Sequence, residues 1–311
     1  MFLGGLFATE AFAPAAPPDS GSSSRPAGGA TIRGRAGQGE IVIRTTPRLA
    51  GAIDSLSWNG REFIDSTDHG RQLQSASNLD VGTAFFAECF NPTEAGSRRD
   101  GAGPTSSSRL LWLSAAGRDL VTINQMAFWL RPGETSGGNP AANTTIRSNH
   151  LLQKEVRIGA PGLDHAIRYR VTFTLPTGEA HRQATFETLT GYMPPEFRRF
   201  FVLTPAGQLT PLDDGPGEQA LPVIFSTASG DHAMGVWSPA HSRTRGRPAT
   251  YGRFWFPKAR VSKWNCVVRE GSAAGDLLEP GSYQYLVWVA VGSREQVRET
   301  LQTLRSRHAA K

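Results

Sequence analysis

Residues 65–77 contain an unusual density of hydrogen-bonding side chains. His69, Arg71 and Gln74 lie within six residues, directly after a predicted hairpin in which Asn59-Gly60 supplies the positive φ angles of a tight turn. Side chains of these types, at this density, usually face a ligand or a buried hydrogen-bond network. We therefore predict that His69, Arg71 and Gln74 bind substrate, and a solvated turn is the alternative.

Carboxylates that could carry acid–base chemistry lie in two long insertions between predicted strands, at 88–108 and 190–219. Long loops on a β scaffold commonly hold binding sites. Hydrolysis of a glycosidic bond needs two carboxyl groups on opposite sides of that bond, one protonated and one ionised. Glu94 follows an Asn-Pro pair that would stiffen its loop, and Glu218 follows glycines that allow close backbone approach. We predict both as catalytic residues, and solvated loop acids are the alternative.

Two histidines flank predicted strands and are the other candidates for proton transfer. His150 begins a long strand and His232 precedes a short one. Imidazole acts as a general acid or base near neutral pH, so both are predicted to be catalytic. A hydrogen-bonded structural role is the alternative for each.

We predict no metal site and no cofactor. No histidine pair has H-x-H or H-x-x-x-H spacing, and Cys89 and Cys266 lie far apart without a C-x-x-C motif. Phosphate-binding, dinucleotide-binding and zinc-protease motifs are absent from the sequence. The two cysteines could form one disulfide in an exported protein or remain buried thiols.

Aromatic residues near turns are candidates for contact with a sugar, because flat rings stack on the apolar faces of pyranoses. The candidates are Tyr192, Trp237, Tyr251 and Trp255. Arg253 lies between two of them and follows Arg243, Arg245 and Arg247, so its guanidinium could pair with a uronate carboxylate. The same alternation fits a strand with its arginines in water.

Composition predicts an all-β protein. The 311 residues include 34 glycines and 21 prolines that punctuate short apolar runs, a pattern typical of antiparallel sheets. The net charge is +6, but the arginines are spread along the chain, which argues against a nucleic-acid-binding stripe. No stretch after the N-terminus is long and apolar enough to span a membrane.

The N-terminal segment predicts export. Residues 1–13 are apolar and end in Ala11-Phe12-Ala13, an A-x-A-like cleavage signal, although a basic start is missing. Residues 14–29 are rich in Pro, Ser, Gly and Ala and are expected to be disordered. We therefore assign 1–34 to a signal-like segment and linker, 35–311 to one domain, and the protein to the periplasm or the exterior.

The last predicted elements are a strand at 282–291 and a helix. Ser293 and Gln296 have the spacing of a capping box. Val297, Leu301 and Leu304 then form one apolar stripe, which predicts a helix that packs on the sheet.

The hairpin at 53–64 resembles the opening of galactose-mutarotase-like domains, in which an early strand pair precedes the first sugar-contacting loop. The terminal strand, Gly292-Ser293 and the short helix are also similar to that superfamily. The resemblance implies a large antiparallel two-sheet supersandwich with a concave saccharide-binding face. The partner that it implies is an oligo- or polysaccharide, either neutral or acidic. It also implies a carbohydrate-active enzyme, with a glycoside hydrolase preferred. A polysaccharide lyase, a sugar epimerase and a non-catalytic glycan-binding domain are the alternatives.

Overall fold

The computed structural model describes residues 26–82, 84–239, 248–271 and 275–309. These residues form antiparallel strands, two short 3-10 helices (Pro47–Leu49 and Arg98–Asp100) and one α-helix. The first strands are β1 (Ala30–Ala36), β2 (Gly39–Thr45), β3 (Ile53–Trp58), β4 (Arg61–Glu62), β5 (Leu73–Leu79), β6 (Pro92–Thr93), β7 (Arg109–Ala116), β8 (Asp119–Phe128), β9 (Thr135–Ser136) and β10 (Asn139–Pro140). The others are β11 (Arg147–Ala160), β12 (Leu163–Leu175), β13 (Gln183–Met193), β14 (Arg199–Leu203), β15 (Leu209–Leu212), β16 (Gly217–Gln219), β17 (Val223–Ser226), β18 (Ala233–Trp237), β19 (Thr250–Phe256), β20 (Val261–Gly271) and β21 (Gly281–Gly292). The predicted cleavage signal and Arg243, Arg245 and Arg247 lie outside the described residues.

The strands form two facing layers. One ladder runs β7-β8-β11-β12-β21-β18-β17-β14-β15, and the other runs β1-β2-β3-β5-β13-β20-β19-β16. The short β6 pairs with β5 and with β8 and so joins the two ladders. Between the layers, the ring of Phe186 on β13 lies 4.7 Å from that of Phe173 on β12 and 5.5 Å from that of Tyr285 on β21. The predicted all-β, two-sheet class is confirmed.

The C-terminal helix α1 (Arg294–Ala309) covers the outer face of the first layer. The capping box is present, because the Ser293 N–H donates to Gln296 Oε1 at 2.8 Å and the Gln296 N–H donates to Ser293 Oγ at 3.3 Å. The stripe of Val297, Leu301 and Leu304 is buried in one cluster with side chains of that layer. Among the described residues, no helix is long and apolar enough to cross a membrane.

The structure differs from the sequence analysis in two details and decides between two alternatives in a third. The sheet begins at Ala30, inside the segment assigned to a linker, because Ile32 and Ala36 alternate inward on β1. The insertion at 190–219 contains the end of β13 and the strands β14 to β16. Cys89 and Cys266 are both buried free thiols, so the disulfide alternative does not apply.

Candidate functional site

A groove lies on the outer face of β5 and β13, where their neighbours β6 and β20 also contribute. Side chains on β5 alternate, so Leu73 and Leu79 enter the core while Gln74, Ala76 and Asn78 face the groove. The groove has an inner part of about 100 Å³ and an outer part of about 490 Å³. Gly70, Trp129 and Tyr192 line both parts. These residues therefore join the two parts into one site.

A bulge in β13 sets which side chains reach the groove. The register with β20 shifts between Glu187 and Leu189, which leaves Thr188 as an extra residue. Thr188 turns inward, and its hydroxyl donates to the Cys266 carbonyl at 2.9 Å. Beyond the bulge, Leu189 is in the core while Thr190 lines the groove beside Glu187.

The inner groove contains an ion pair between Glu187 and Lys263. Glu187 Oε2 lies 3.4 Å from Lys263 Nζ, with the two side chains 19% and 15% exposed. The Thr190 hydroxyl donates to the same carboxylate oxygen. Lys263 Nζ also lies 5.3 Å from the centroid of the Tyr192 ring, within the range of a cation–π contact.

Both members of this pair stay charged. Burial by itself raises the pKa of Glu187. The charge of Lys263 and hydrogen bonds from Thr190, Lys263 and Asn265 outweigh burial, so the pKa of Glu187 lies below its ordinary value. For Lys263, burial by itself lowers the pKa, but the charge of Glu187 outweighs it and the pKa is raised. The groove therefore presents an ionised carboxylate and an ammonium group side by side.

We expect Lys263→Met to raise the pKa of Glu187 above its ordinary value of 4.5, because burial then acts without the compensating charge. In the wild type the pKa lies below 4.5. The ionised pair thus contributes its full stabilisation above the ordinary pKa of 4.5, and this contribution is lost as the pH falls through the lower folded-state pKa of Glu187. Carbon-13 NMR titration of labelled glutamate carboxyls would measure the shift, with Glu187→Gln to assign the signal. Identical titrations in wild type and variant would contradict this electrostatic account.

Aromatic rings form the walls of the groove. Trp129 stands over Gly70, where an added Cβ would lie 2.8 Å from the Trp129 ring, so this position needs glycine. Phe256 and Lys258 also line the outer part of the groove. Arg71 also lines the outer part, and its Nε lies 3.1 Å from Asp68 Oδ2.

Three of the predicted site residues lie in this groove, namely Arg71, Gln74 and Tyr192. Gln74 uses its amide to hold the neighbouring loops, since Nε2 donates to the Gly70 carbonyl at 3.0 Å and Oε1 accepts from the Ala95 N–H at 3.3 Å. Gln74 therefore shapes the groove as well as lining it.

Glu94, His69 and His232 do not line the groove. Glu94 is fully buried and pairs with Lys154 Nζ at 2.7 Å. Both ring nitrogens of His69 face backbone carbonyls, of Gly101 at 2.7 Å and Arg48 at 2.9 Å. His232 packs against Trp58 at 5.5 Å between ring centroids, and burial first, then the charge of Arg61, lowers its pKa. These residues and His150 do not share the groove, because each has its own local partners elsewhere in the fold.

The other candidates are spread over the surface and core. Glu218 forms a surface ion pair with Arg269 at 2.6 Å, and Arg253 pairs with Asp213. The remaining three are aromatic residues with partners of their own. Tyr251 is buried, and its hydroxyl oxygen accepts from the Ser238 N–H. The Trp255 ring centroid lies 4.5 Å from Cζ of Arg198, and the Trp237 ring centroid lies 5.1 Å from that of His308. None of these five lines either part of the groove. This placement supports neither the predicted catalytic role of Glu218 nor the predicted binding roles of the other four.

The sequence analysis missed Glu187, Lys263 and Trp129. Glu187 follows the core residue Phe186 in an alternating strand, and a charged residue at such an outward position is the available signal. The pairing of Glu187 with Lys263 depends on the register between β13 and β20, which the sequence does not display. His150 lies elsewhere, next to Glu179 and His181.

No known family matches this sequence, and no curated protein is significantly similar to it. Solved structures do resemble the fold. An α-galactosidase from Lactobacillus brevis is 10% identical, with 90% of this chain and 42% of that chain covered and a TM-score of 0.48. A putative aldose 1-epimerase from Klebsiella pneumoniae is 12% identical, with 88% and 85% covered and a TM-score of 0.44. A putative mutarotase from Salmonella typhimurium is 9% identical, with 85% and 94% covered and a TM-score of 0.36.

Proteins with mutarotase and epimerase names are therefore among the structures that this chain resembles. The chain spans less than half the length of the α-galactosidase. At these identities and TM-scores the similarity carries no argument about activity.

Proposed function

We propose that this chain is a carbohydrate-active enzyme that binds a saccharide in the groove and hydrolyses a glycosidic bond by acid–base chemistry. The observation that carries the proposal is the combination, in one groove, of the Trp129 and Tyr192 rings with the charged pair of Glu187 and Lys263. Rings of this kind stack on sugar faces, while charged and amide groups bind hydroxyls.

Two carboxylates line the inner groove in this proposal. Glu187 is ionised and acts as the base or nucleophile, because its pKa is held down by Lys263 after the opposing effect of burial. Glu88 lines the same part, where its Oε2 accepts a hydrogen bond from the Ser136 hydroxyl at 2.7 Å. As the second carboxyl group of the inner groove, Glu88 is assigned the role of proton donor in this proposal. A pair of carboxyl groups is what glycoside hydrolysis requires.

The charges of the groove favour a neutral saccharide. Arg71, Lys258 and Lys263 are the basic residues that line its two parts, and Asp68, Glu88 and Glu187 are the acidic ones. Among the described residues, three positive and three negative groups therefore leave no surplus of cations for a uronate. The predicted contact between Arg253 and an acidic sugar is also disfavoured, since Arg253 is paired with Asp213 and Gln219.

The test is incubation of the full chain with neutral and uronate-containing oligosaccharides, with reducing ends and unsaturated products both measured. We expect new reducing ends from a neutral glycan. Trp129→Ala should weaken binding of that glycan about twofold to tenfold, equivalent to about 0.5–1.5 kcal/mol. Trp112→Ala, which removes a partly exposed tryptophan on β7, is the matched control and should leave affinity unchanged.

The other outcomes reject the hydrolase proposal. Unsaturated products would indicate a lyase, and binding without any product would indicate a glycan-binding domain. Absence of binding to the whole panel, or equal losses in Trp129→Ala and Trp112→Ala, would remove the groove as a saccharide site.

A further inference from the structure

A second cavity lies at the end of the sandwich, and it shares no lining residue with the groove. Its volume is about 330 Å³. At its edge, His150 on β11 meets Glu179 and His181 from the connection between β12 and β13. The two imidazoles are buried, while the Glu179 side chain is 25% exposed.

The three side chains point their ligand atoms at one another. Glu179 Oε2 lies 2.7 Å from His150 Nε2 and 3.0 Å from His181 Nε2. Ligand atoms around a tetrahedral zinc, each about 2.0–2.1 Å from the metal, lie about 3.3 Å apart. All three ligand atoms lie within 4.8 Å of one another, so side-chain adjustments would bring them around one metal ion.

The second ring nitrogen of His181 fixes which atom faces the cluster. His181 Nδ1 lies 2.5 Å from the Asp80 carbonyl oxygen, so this nitrogen carries a hydrogen and donates it. In the neutral ring that a metal ion would bind, the lone pair is then on Nε2, the nitrogen that faces Glu179 and the cluster. A metal-binding histidine typically donates its other N–H to a carbonyl or carboxylate in this way, which sets the tautomer and orients the ring.

The surroundings hold these ligands in place. Asp80 Oδ1 accepts from the backbone N–H groups of Arg182 and Gln183 at 2.8 and 2.9 Å, which fixes the segment after His181. The Phe90 ring packs against both imidazoles, 6.0 Å from His150 and 5.2 Å from His181. The Phe90 ring therefore packs beside the cluster and, with Glu179 and His181, also lines the second cavity.

We propose that His150, Glu179 and His181 bind a divalent transition-metal ion, with Zn²⁺ as the best fit, and that its remaining position faces the second cavity. Two imidazole nitrogens and one carboxylate suit zinc and its neighbours better than Ca²⁺ or Mg²⁺, which prefer all-oxygen sites. Three protein ligands with one open position are typical of zinc sites that bind water or substrate. Among the described residues, Asn143 Oδ1 is a buried acceptor without a partner, and Asn143 lines this cavity. The Asn143 amide is thus a candidate contact for a molecule at the open position.

The test is metal binding by the full chain after removal of metals with a chelator. Zn²⁺ affinity would be measured by competition with a chromophoric chelator, and Co²⁺ would report coordination by its visible absorption. We expect one equivalent of Zn²⁺ in the wild type and at least about a 100-fold loss of affinity in His181→Gln and in Glu179→Gln. His165→Gln is the matched control, because His165 Nδ1 donates to the Val291 carbonyl away from the cluster.

Stability measurements keep the test decisive if one variant folds poorly. Zn²⁺ should raise the thermal unfolding temperature of the wild type and of His165→Gln, but not that of a folded ligand variant. No stoichiometric binding by the wild type, or equal affinity in wild type and both ligand variants, would overturn the proposal. Neither readout requires glycan turnover, so failure here is distinguishable from failure of the hydrolase proposal.

Discussion

Lys154→Met is expected to lower the free energy of unfolding by about 3–5 kcal/mol, because it leaves the Glu94 carboxylate buried without its counter-charge. Lys154 lies on β11 and is 1% exposed, and Glu94 is fully buried. Lys154 Nζ lies 2.7 Å from Glu94 Oε2 and also donates to the Leu73 carbonyl at 3.3 Å. The lysine thus connects the first layer with β5 in the second.

The same buried pair supports the groove from behind. Glu94 Oε2 accepts from the Ser75 N–H at 2.9 Å, and the Ser75 hydroxyl donates to the carbonyl of Thr188 at 2.8 Å. Thr188 is the extra residue of the bulge that directs Glu187 and Thr190 outward. Glu94, predicted from the sequence to be catalytic, is therefore better described as a positioning residue.

Denaturant unfolding would measure the effect of Lys154→Met. Arg170→Met is the matched control, since Arg170 pairs with Glu155 on the surface at 2.8 Å and such pairs contribute about 0–1 kcal/mol. Combining Lys154→Met with Glu94→Gln removes both charges and should recover part of the loss, with Gln retaining an acceptor for Ser75. A cost for Lys154→Met no larger than that of the control would show that the pair does not stabilise the fold.

Glu187→Gln is expected to lower kcat on the glycan identified by the panel by about 10²–10⁴-fold, because the substitution removes the ionised oxygen that accepts the proton or attacks the sugar. Glutamine keeps the size of the side chain and an acceptor for the Thr190 hydroxyl. We therefore expect saccharide binding to be retained while turnover is lost. Steady-state kinetics together with calorimetric binding would separate the two.

Two further variants distinguish loss of the catalytic carboxylate from a general structural effect of the substitution. Glu155→Gln removes a partly exposed carboxylate on β11 outside the groove and should leave kcat unchanged. The double variant Glu187→Gln/Lys263→Met leaves no unpaired charge and should also be inactive. Near wild-type turnover in Glu187→Gln would exclude this residue from the chemistry.

The sequence alone determined the local elements. Asn59 and Gly60 have φ angles of 51° and 80° and close the two-residue turn between β3 and β4 as predicted. The capping box and the apolar stripe of α1 also have the predicted partners. Turn chemistry, helix capping and side-chain periodicity act over a few residues, and for that reason they are visible in the sequence itself.

Only the tertiary structure decided which polar residues share a site. Glu94 and Glu187 are both acids near special backbone positions, yet one is buried against Lys154 and the other faces the groove beside Lys263. His150 meets Glu179 and His181 because β11 runs beside β12 and the connection after β12 folds back over its end. The physical reason is that strand register and a single bulge decide which face each side chain occupies. Both depend on contacts between residues far apart in the chain.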